Sequence, residues 1–364
     1  MHHVIVAWAR SNAEAFEAQI PLEFLARRYR ARGYSAQFKV VMLHGQDKFD
    51  RRYVDSLANL GFHLEDANGL FSEAHSRFAS LDRFGEYETS CFLRWPVLRR
   101  LFGSDPLIHY DGDVVLNVAP EEVAARFADT TFVLQGCPAF TVVSTDAWYE
   151  EYESELMRFA ADIDGYSAHA WRERDGWEKS AEIKWAGQRS RRIVSSDQDL
   201  VSHLIHTGRL TQTRKETLLE RLSSWMAVEN PLYPDAYYPS ANFSYRRTNQ
   251  VDTFNSRPLL MWHMQTSFYT YLSRHLMQAK YLRALADRRL PRDLTGVERF
   301  FYRAAARLNR AGPITRRSVY EAFLEKGDFS EVFTDRRWWK RGVFARAGQI
   351  QPATPAPMGL KADA

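Results

Sequence analysis

Cysteine is nearly absent: Cys91 and Cys137 are the only two in 364 residues. They form no metal-ligand or redox spacing, so a disulfide scaffold and a zinc ribbon are both excluded. Nor does any apolar run approach the ~20 residues that span a bilayer. The start, Met1-His2-His3 followed by Val4–Ala9, lacks the basic region and long apolar core of a secretory signal. A cytoplasmic protein is therefore expected. Charge of one sign is also missing. Forty-nine basic residues against forty-five acidic ones leave +4, too balanced to argue for nucleic acid. No internal repeat is visible. Aromatic residues, by contrast, are plentiful at 14%, with ten tryptophans. Such rings fill cores and also suit the faces of sugars.

Taken in order, Val4–Ala9 reads as a buried first strand and 13–32 as a helix, with Phe16, Ile20, Phe24 or Leu25, and Tyr29 at helical spacing and Gly33 as its stop. Phe38–Leu43 is a second strand, 50–60 a helix, and Phe62–Leu64 a third strand. Strand–helix alternation predicts a parallel sheet covered by helices, with ligands at the carboxyl ends of the strands. The first strand–helix turn, Ala9-Arg10-Ser11-Asn12, lacks the glycine-rich dinucleotide fingerprint, which counts against a dehydrogenase. Further strands are expected at Thr131–Gln135 and Ala139–Ser144, a helix at 146–161, and a last strand at Pro258–Trp262. Segment 165–192 carries few aliphatics and three tryptophans, and reads as a long loop, expected to be an acceptor-facing lid.

The chemistry concentrates at Leu107-Ile108-His109-Tyr110-Asp111-Gly112-Asp113-Val114-Val115-Leu116. Two apolar runs flank a pair of aspartates, and Val114–Leu116 is either a continuation of the first strand or the next one. Carboxylates two residues apart are costly to desolvate unless something positive stands between them. A divalent cation with hard oxygen ligands serves that purpose, and Gly112 lets the backbone approach a ligand closely. The plain alternative is a polar turn. Asp162-Ile163-Asp164 and Asp197-Gln198-Asp199 repeat the pattern, but only the 111–113 copy lies between apolar runs.

This arrangement resembles the GT-A nucleotide-sugar glycosyltransferases, and in particular the retaining class of glycogenin and the lipopolysaccharide galactosyltransferases. The resemblance covers roughly residues 4–265, in order. Upstream, Phe92-Leu93-Arg94-Trp95-Pro96 is similar to the family's Tyr-x-Arg-x-x-x-Pro stretch. Downstream, Ser196-Asp197-Gln198-Asp199 stands where the family carries Asp-Gln-Asp, and His263 stands where a late histidine closes the metal site. There are departures. No Asn-Ser-Gly follows Gly136, Thr266 replaces the family's glycine after the histidine, and no Lys-Pro-Trp follows, so the diphosphate-binding lysine is missing.

The resemblance implies a GT-A, Rossmann-like α/β fold with a mixed, mostly parallel sheet. It implies a catalytic domain over 1–268, with a donor-binding half to about 118 and an acceptor-side half over 119–268. A helical extension over 269–345 and a disordered tail over 346–364 are expected to follow. The implied activity is a metal-dependent hexosyltransferase acting in polysaccharide biosynthesis on a UDP-sugar and a saccharide or cell-envelope acceptor, with retention. Asp111, Asp113 and His263 would hold Mn²⁺ or Mg²⁺. Ala7, Arg94, Asp111, Gly112 and Asp113 would bind the nucleotide, and Asp197 and Arg94 would act in catalysis. Each residue has a plainer reading: Arg94 a surface ion pair, Asp197 or Ser196 a helix cap, His263 a structural histidine. An inverting enzyme, a nucleotidyltransferase and a non-catalytic carbohydrate- or nucleotide-binding protein are the competing functions. Tyr233, Tyr237 and Tyr238, within an aromatic coil over 231–245, would wall a sugar site. The cluster Arg336–Phe344, two tryptophans between basic pairs, suits peripheral contact with anionic lipid.

Overall fold

The apolar runs of the early strands alternate between two faces, and a helix layer covers each face. The protein is described from a computed structural model covering residues 1–8, 22–134, 138–173 and 194–214, the segments 219–223, 226–229, 245–248, 251–254 and 257–264, and Val297 and Leu324. Strands β1 (His2–Ala7), β2 (Phe38–Met42), β3 (Phe62–Asp66) and β4 (Leu107–Tyr110) run parallel in the order β3-β2-β1-β4. The antiparallel pair β7 (Phe140–Val143) and β6 (Phe132–Val133) completes this six-stranded sheet. The α/β class and the mixed, mostly parallel Rossmann-like sheet expected from the sequence are what the chain adopts.

Period two sorts the side chains. Ile5, Val40 and Ile108 face Leu25 and Tyr29 of α1 (Leu22–Ala31), Leu57 of α2 (Arg51–Asn59) and Val123 of α5 (Pro120–Arg126). Val4, Val6, Val41 and Leu107 face the other way. There they meet Ala74 of α3 (Asn68–Arg77), Leu93 and Leu98 of α4 (Glu86–Phe102), Trp148 and Leu156 of α6 (Asp146–Ala161), Ala170 of α7 (Ile163–Glu173) and Leu200 of α8 (Asp197–His206). Trp95 and Trp148 are wholly buried and meet edge to face at 5.1 Å. Removing either ring would cost about 3–5 kcal/mol.

Helix α4 holds a proline, Pro96, in its interior. A proline lacks the N–H that would bond the carbonyl four residues earlier, here that of Phe92. The Tyr152 hydroxyl of α6 donates to that carbonyl at 3.0 Å. An orphaned buried acceptor is thus satisfied from a neighbouring helix, and Arg94 and Trp95 stay on a continuous helix.

A second, antiparallel sheet runs β10-β11-β12-β9-β8, from β8 (Leu219–Ser223), β9 (Met226–Glu229), β10 (Tyr245–Thr248), β11 (Val251–Phe254) and β12 (Arg257–His263). Short β5 (Val114–Leu116) is not a continuation of β4. It leaves the first sheet and pairs with β12, with Val114 opposite His263. Residues 111–113 are therefore the crossing point between the two sheets.

Two expectations need correcting. The first residues of the expected loop 165–192 belong to α7, which is held by a sparse stripe packed on the core, Ile163, Tyr166 and Ala170, and by polar contacts. Ser167 Oγ donates to Ile163 O at 2.6 Å and accepts the Val194 N–H at 3.1 Å, and Tyr166 donates to Glu155 at 2.9 Å. Residues 174–193 lie outside the described residues, as do the aromatic coil through 244, the C-terminal extension apart from Val297 and Leu324, and the tail. The first strand ends at Ala7, two residues short of the predicted end, with Ala9 again outside the described residues.

Candidate functional site

Strand β4 delivers its last residues to the carboxyl edge of the parallel sheet, where Asp111 and Asp113 stand. The Asp111 N–H donates to Ala139 O at 2.8 Å, fixing the turn to β7. The Asp113 carbonyl accepts from the N–H of Met264 at 2.8 Å, fixing it to the end of β12. That register brings His263 Nε2 to 3.4 Å from Asp113 Oδ1. One ligand atom from each of Asp111, Asp113 and His263 lies within 4.8 Å of the others. Ligands on opposite sides of a small divalent ion stand about 4.2 Å apart, so the three side chains converge to within a small rotation of a single ion's shell. Two carboxylates and an imidazole suit Mn²⁺ or Mg²⁺ better than a soft metal. The residues present fit the ion. At Gly112 a Cβ would meet nothing within 4 Å, so the open side of this turn faces free space.

Arg94 lies beneath. Its Nη1 donates to Asp111 Oδ1 at 2.6 Å, and its Nε and Nη2 reach Asp197 Oδ2 at 2.7 and 2.6 Å. The Trp95 indole N–H donates to the same Asp197 oxygen at 2.9 Å. Arg94 is 4% exposed and Asp197 2%, so this is a buried pair, not a surface ion pair. One guanidinium serves two carboxylates. Burial and the pull of Asp197 and Asp111 act on it in opposite directions, and the carboxylates prevail, holding it firmly protonated. Burial opposes the charge on Asp111, but the Arg94 guanidinium outweighs it and holds that carboxyl below its usual range. For Asp197 burial wins over Arg94, and its carboxyl is pushed up to about 6.

The structure thus brings together Arg94, Asp111, Asp113, Asp197 and His263, while Ala7 closes β1 at the same sheet edge, its carbonyl taking the Leu43 N–H at 2.9 Å. Asp197 opens α8 but its carboxylate does not cap the helix, and the side chain of Ser196, at the cap position, makes no cap hydrogen bond. Ser195 instead bonds Asp199 Oδ2 through its backbone N–H at 3.2 Å and its hydroxyl at 3.0 Å. Two members escaped the sequence reading. Trp95 was visible only as an aromatic beside Arg94. His109 is fully buried, its Nε2 3.5 Å from Arg94 Nη1 and its Nδ1 3.1 Å from Pro138 O. Burial and the neighbouring guanidinium lower its pKa to about 3. The strand's alternation, which puts His109 on the face of α4, was the signal that could have found it.

No protein-family model matches the chain, and no curated protein matches it. Among solved structures, mouse xyloside xylosyltransferase 1 in its apo form matches with 12% identity and a TM-score of 0.32, over 57% of this chain and 81% of that one. What the site can do follows from its own atoms.

Proposed function

We propose that this chain is a GT-A glycosyltransferase that moves a sugar from a nucleoside diphosphate donor, UDP-linked, to a saccharide or cell-envelope acceptor, with retention at the anomeric carbon. The observation that carries this reading is the convergence of Asp111, Asp113 and His263 at the carboxyl edge of a parallel sheet. Those three residues would hold Mn²⁺ or Mg²⁺, which supplies positive charge to a departing diphosphate. Arg94 adds its own charge from below and fixes the Asp111 carboxylate. Asp197 holds Arg94 in that pose and bounds the donor-sugar side. Ala7, at the end of β1, and Gly112, with open space above it, leave room for the nucleotide.

The test is a thermal-shift screen of nucleotides and nucleotide sugars with and without Mn²⁺. A ligand that binds only the folded chain raises its stability by about 2.7 kcal/mol at a hundred times its Kd. A UDP-sugar that raises the melting temperature only with the cation is the expected result, together with metal-dependent release of UDP. No shift with any nucleoside diphosphate under either ion overturns the proposal. Binding without UDP release would leave a non-catalytic binding protein, and the anomeric configuration of the product separates retention from inversion.

No described helix is long and apolar enough to cross a membrane. We further propose a cytoplasmic protein that touches anionic lipid through Arg336–Phe344. Each basic residue at such a surface contributes about 1 kcal/mol. Co-sedimentation with anionic liposomes should recover the full chain at low salt and lose a chain ending at Asp335. Equal recovery of both excludes this segment as the anchor.

A further inference from the structure

We infer that His109 is a positioning residue, locked in one tautomer, that aims the Arg94 guanidinium at Asp111. The inference rests on reading 111–113 and 263 as a cation site. Period two along β4 places His109 on the face covered by α4, where the Trp95 ring meets it edge-on at 5.1 Å. Its two nitrogens have hydrogen-bond partners of opposite kind, and the Asp111 Oδ1 that lies 3.8 Å from Nε2 is beyond hydrogen-bond reach. Pro138 O, 3.1 Å from Nδ1, is a carbonyl and can only accept. Arg94 Nη1, 3.5 Å from Nε2, belongs to a guanidinium and can only donate. Only the neutral ring with its proton on Nδ1 satisfies both, so Nε2 presents a lone pair to Arg94.

That lone pair matters because Nη1 carries two hydrogens. One goes to Asp111 Oδ1 at 2.6 Å, and the second points to His109. At 3.5 Å the second contact is long, and its value lies in direction rather than strength. With both hydrogens engaged, the guanidinium plane cannot swing about its bonds to Asp197. A second tie runs through the same turn. Pro138 O holds the His109 ring while the next carbonyl, Ala139 O, holds the Asp111 N–H at 2.8 Å. The Pro138–Ala139 turn therefore sets the ring and the Asp111 backbone from adjacent atoms. Thr141 Oγ1 also donates to Pro138 O, at 3.1 Å, and steadies that carbonyl.

Two near-isosteric variants separate the two nitrogens. An asparagine amide nitrogen reproduces Nδ1–H and keeps the bond to Pro138, but offers nothing to Arg94. A glutamine carbonyl reaches the place of Nε2 and keeps the acceptor for Arg94. Mn²⁺ affinity of the full chain, read by electron paramagnetic resonance with saturating UDP, should fall about tenfold or more in His109→Asn. His109→Gln should retain it to within about threefold. Equal affinities for the two variants overturn the inference.

A measurement on the unaltered protein stands beside this. In ¹⁵N-histidine-labelled wild type, one imidazole should show the Nδ1–H tautomer, assigned by its loss in His109→Gln. An Nε2–H tautomer at His109 overturns the inference. A wild-type chain that binds no Mn²⁺ overturns the proposed function instead. The tautomer, which needs no ion, then tests the aiming of Arg94 by itself.

Discussion

Arg94→Met is expected to destabilise the protein by about 3–5 kcal/mol and to lower its melting temperature by roughly 4–7 °C. The reason is what it leaves behind. Among the described residues, Asp197, 2% exposed, would keep only the Trp95 indole as a donor, and Asp111 would lose its 2.6 Å partner. Breaking a buried ion pair from one side costs more than the pair contributes, because the abandoned charge stays desolvated. Two companion variants test the cause. Asp197→Asn keeps the shape and the acceptor for Trp95, so its loss should be smaller. Arg94→Met combined with Asp197→Leu removes both charges and should melt above Arg94→Met alone. If Arg94→Met melts within about 2 °C of the wild type, the buried-pair account is wrong.

The second large effect belongs to the cation. Asp113→Asn and His263→Ala should each weaken Mn²⁺-dependent UDP binding at least a hundredfold, by removing one of the three proposed ligands, with a smaller fall in metal-free melting temperature than Arg94→Met. Neither residue supports Arg94, so the loss should appear chiefly in binding. Asp111→Asn is different, since Asp111 also accepts from Arg94 Nη1. It should lose metal binding and stability together. Calorimetric titration of UDP at fixed Mn²⁺ is the measurement, and wild-type affinity in Asp113→Asn or His263→Ala removes that residue from the ligand set.

Much of the first sheet was legible because its strands are short apolar runs with clear ends. Phe38–Met42 and Leu107–Tyr110 needed nothing but composition. Helix α6 fell on its expected bounds, with Trp148, Tyr152, Leu156 and Phe159 buried along it. Helix α4 was unreadable as a helix because Pro96 argues against one locally, and only Tyr152, 56 positions later, removes the objection. Helix α7 was hidden for another reason: its stripe packed on the core, Ile163, Tyr166 and Ala170, is sparse, and serine and tyrosine hydrogen bonds supply much of its anchoring. At the site, the two aspartates stood out by their flanks. The burial of the Arg94–Asp197 pair could not be read, since an arginine in a helix and an aspartate at a helix start are both ordinary surface features until α4 and α8 pack together.

The crossing of β5 into the second sheet also sets an order of events during synthesis. Val114–Leu116 leaves the ribosome about 150 residues before β12, the strand that gives it a partner and that also pairs with β9 and β11. At typical elongation speeds that is roughly 10–30 s. The parallel strands and their helices have all emerged by then, while the aspartates wait at an unpaired edge. His263 arrives on the very strand that closes that edge, so completion of the second sheet and completion of the proposed ligand set are one step. If the proposed site binds a divalent ion, a nascent chain should acquire that affinity abruptly and late, and long-range pairing of this kind is the slow part of folding.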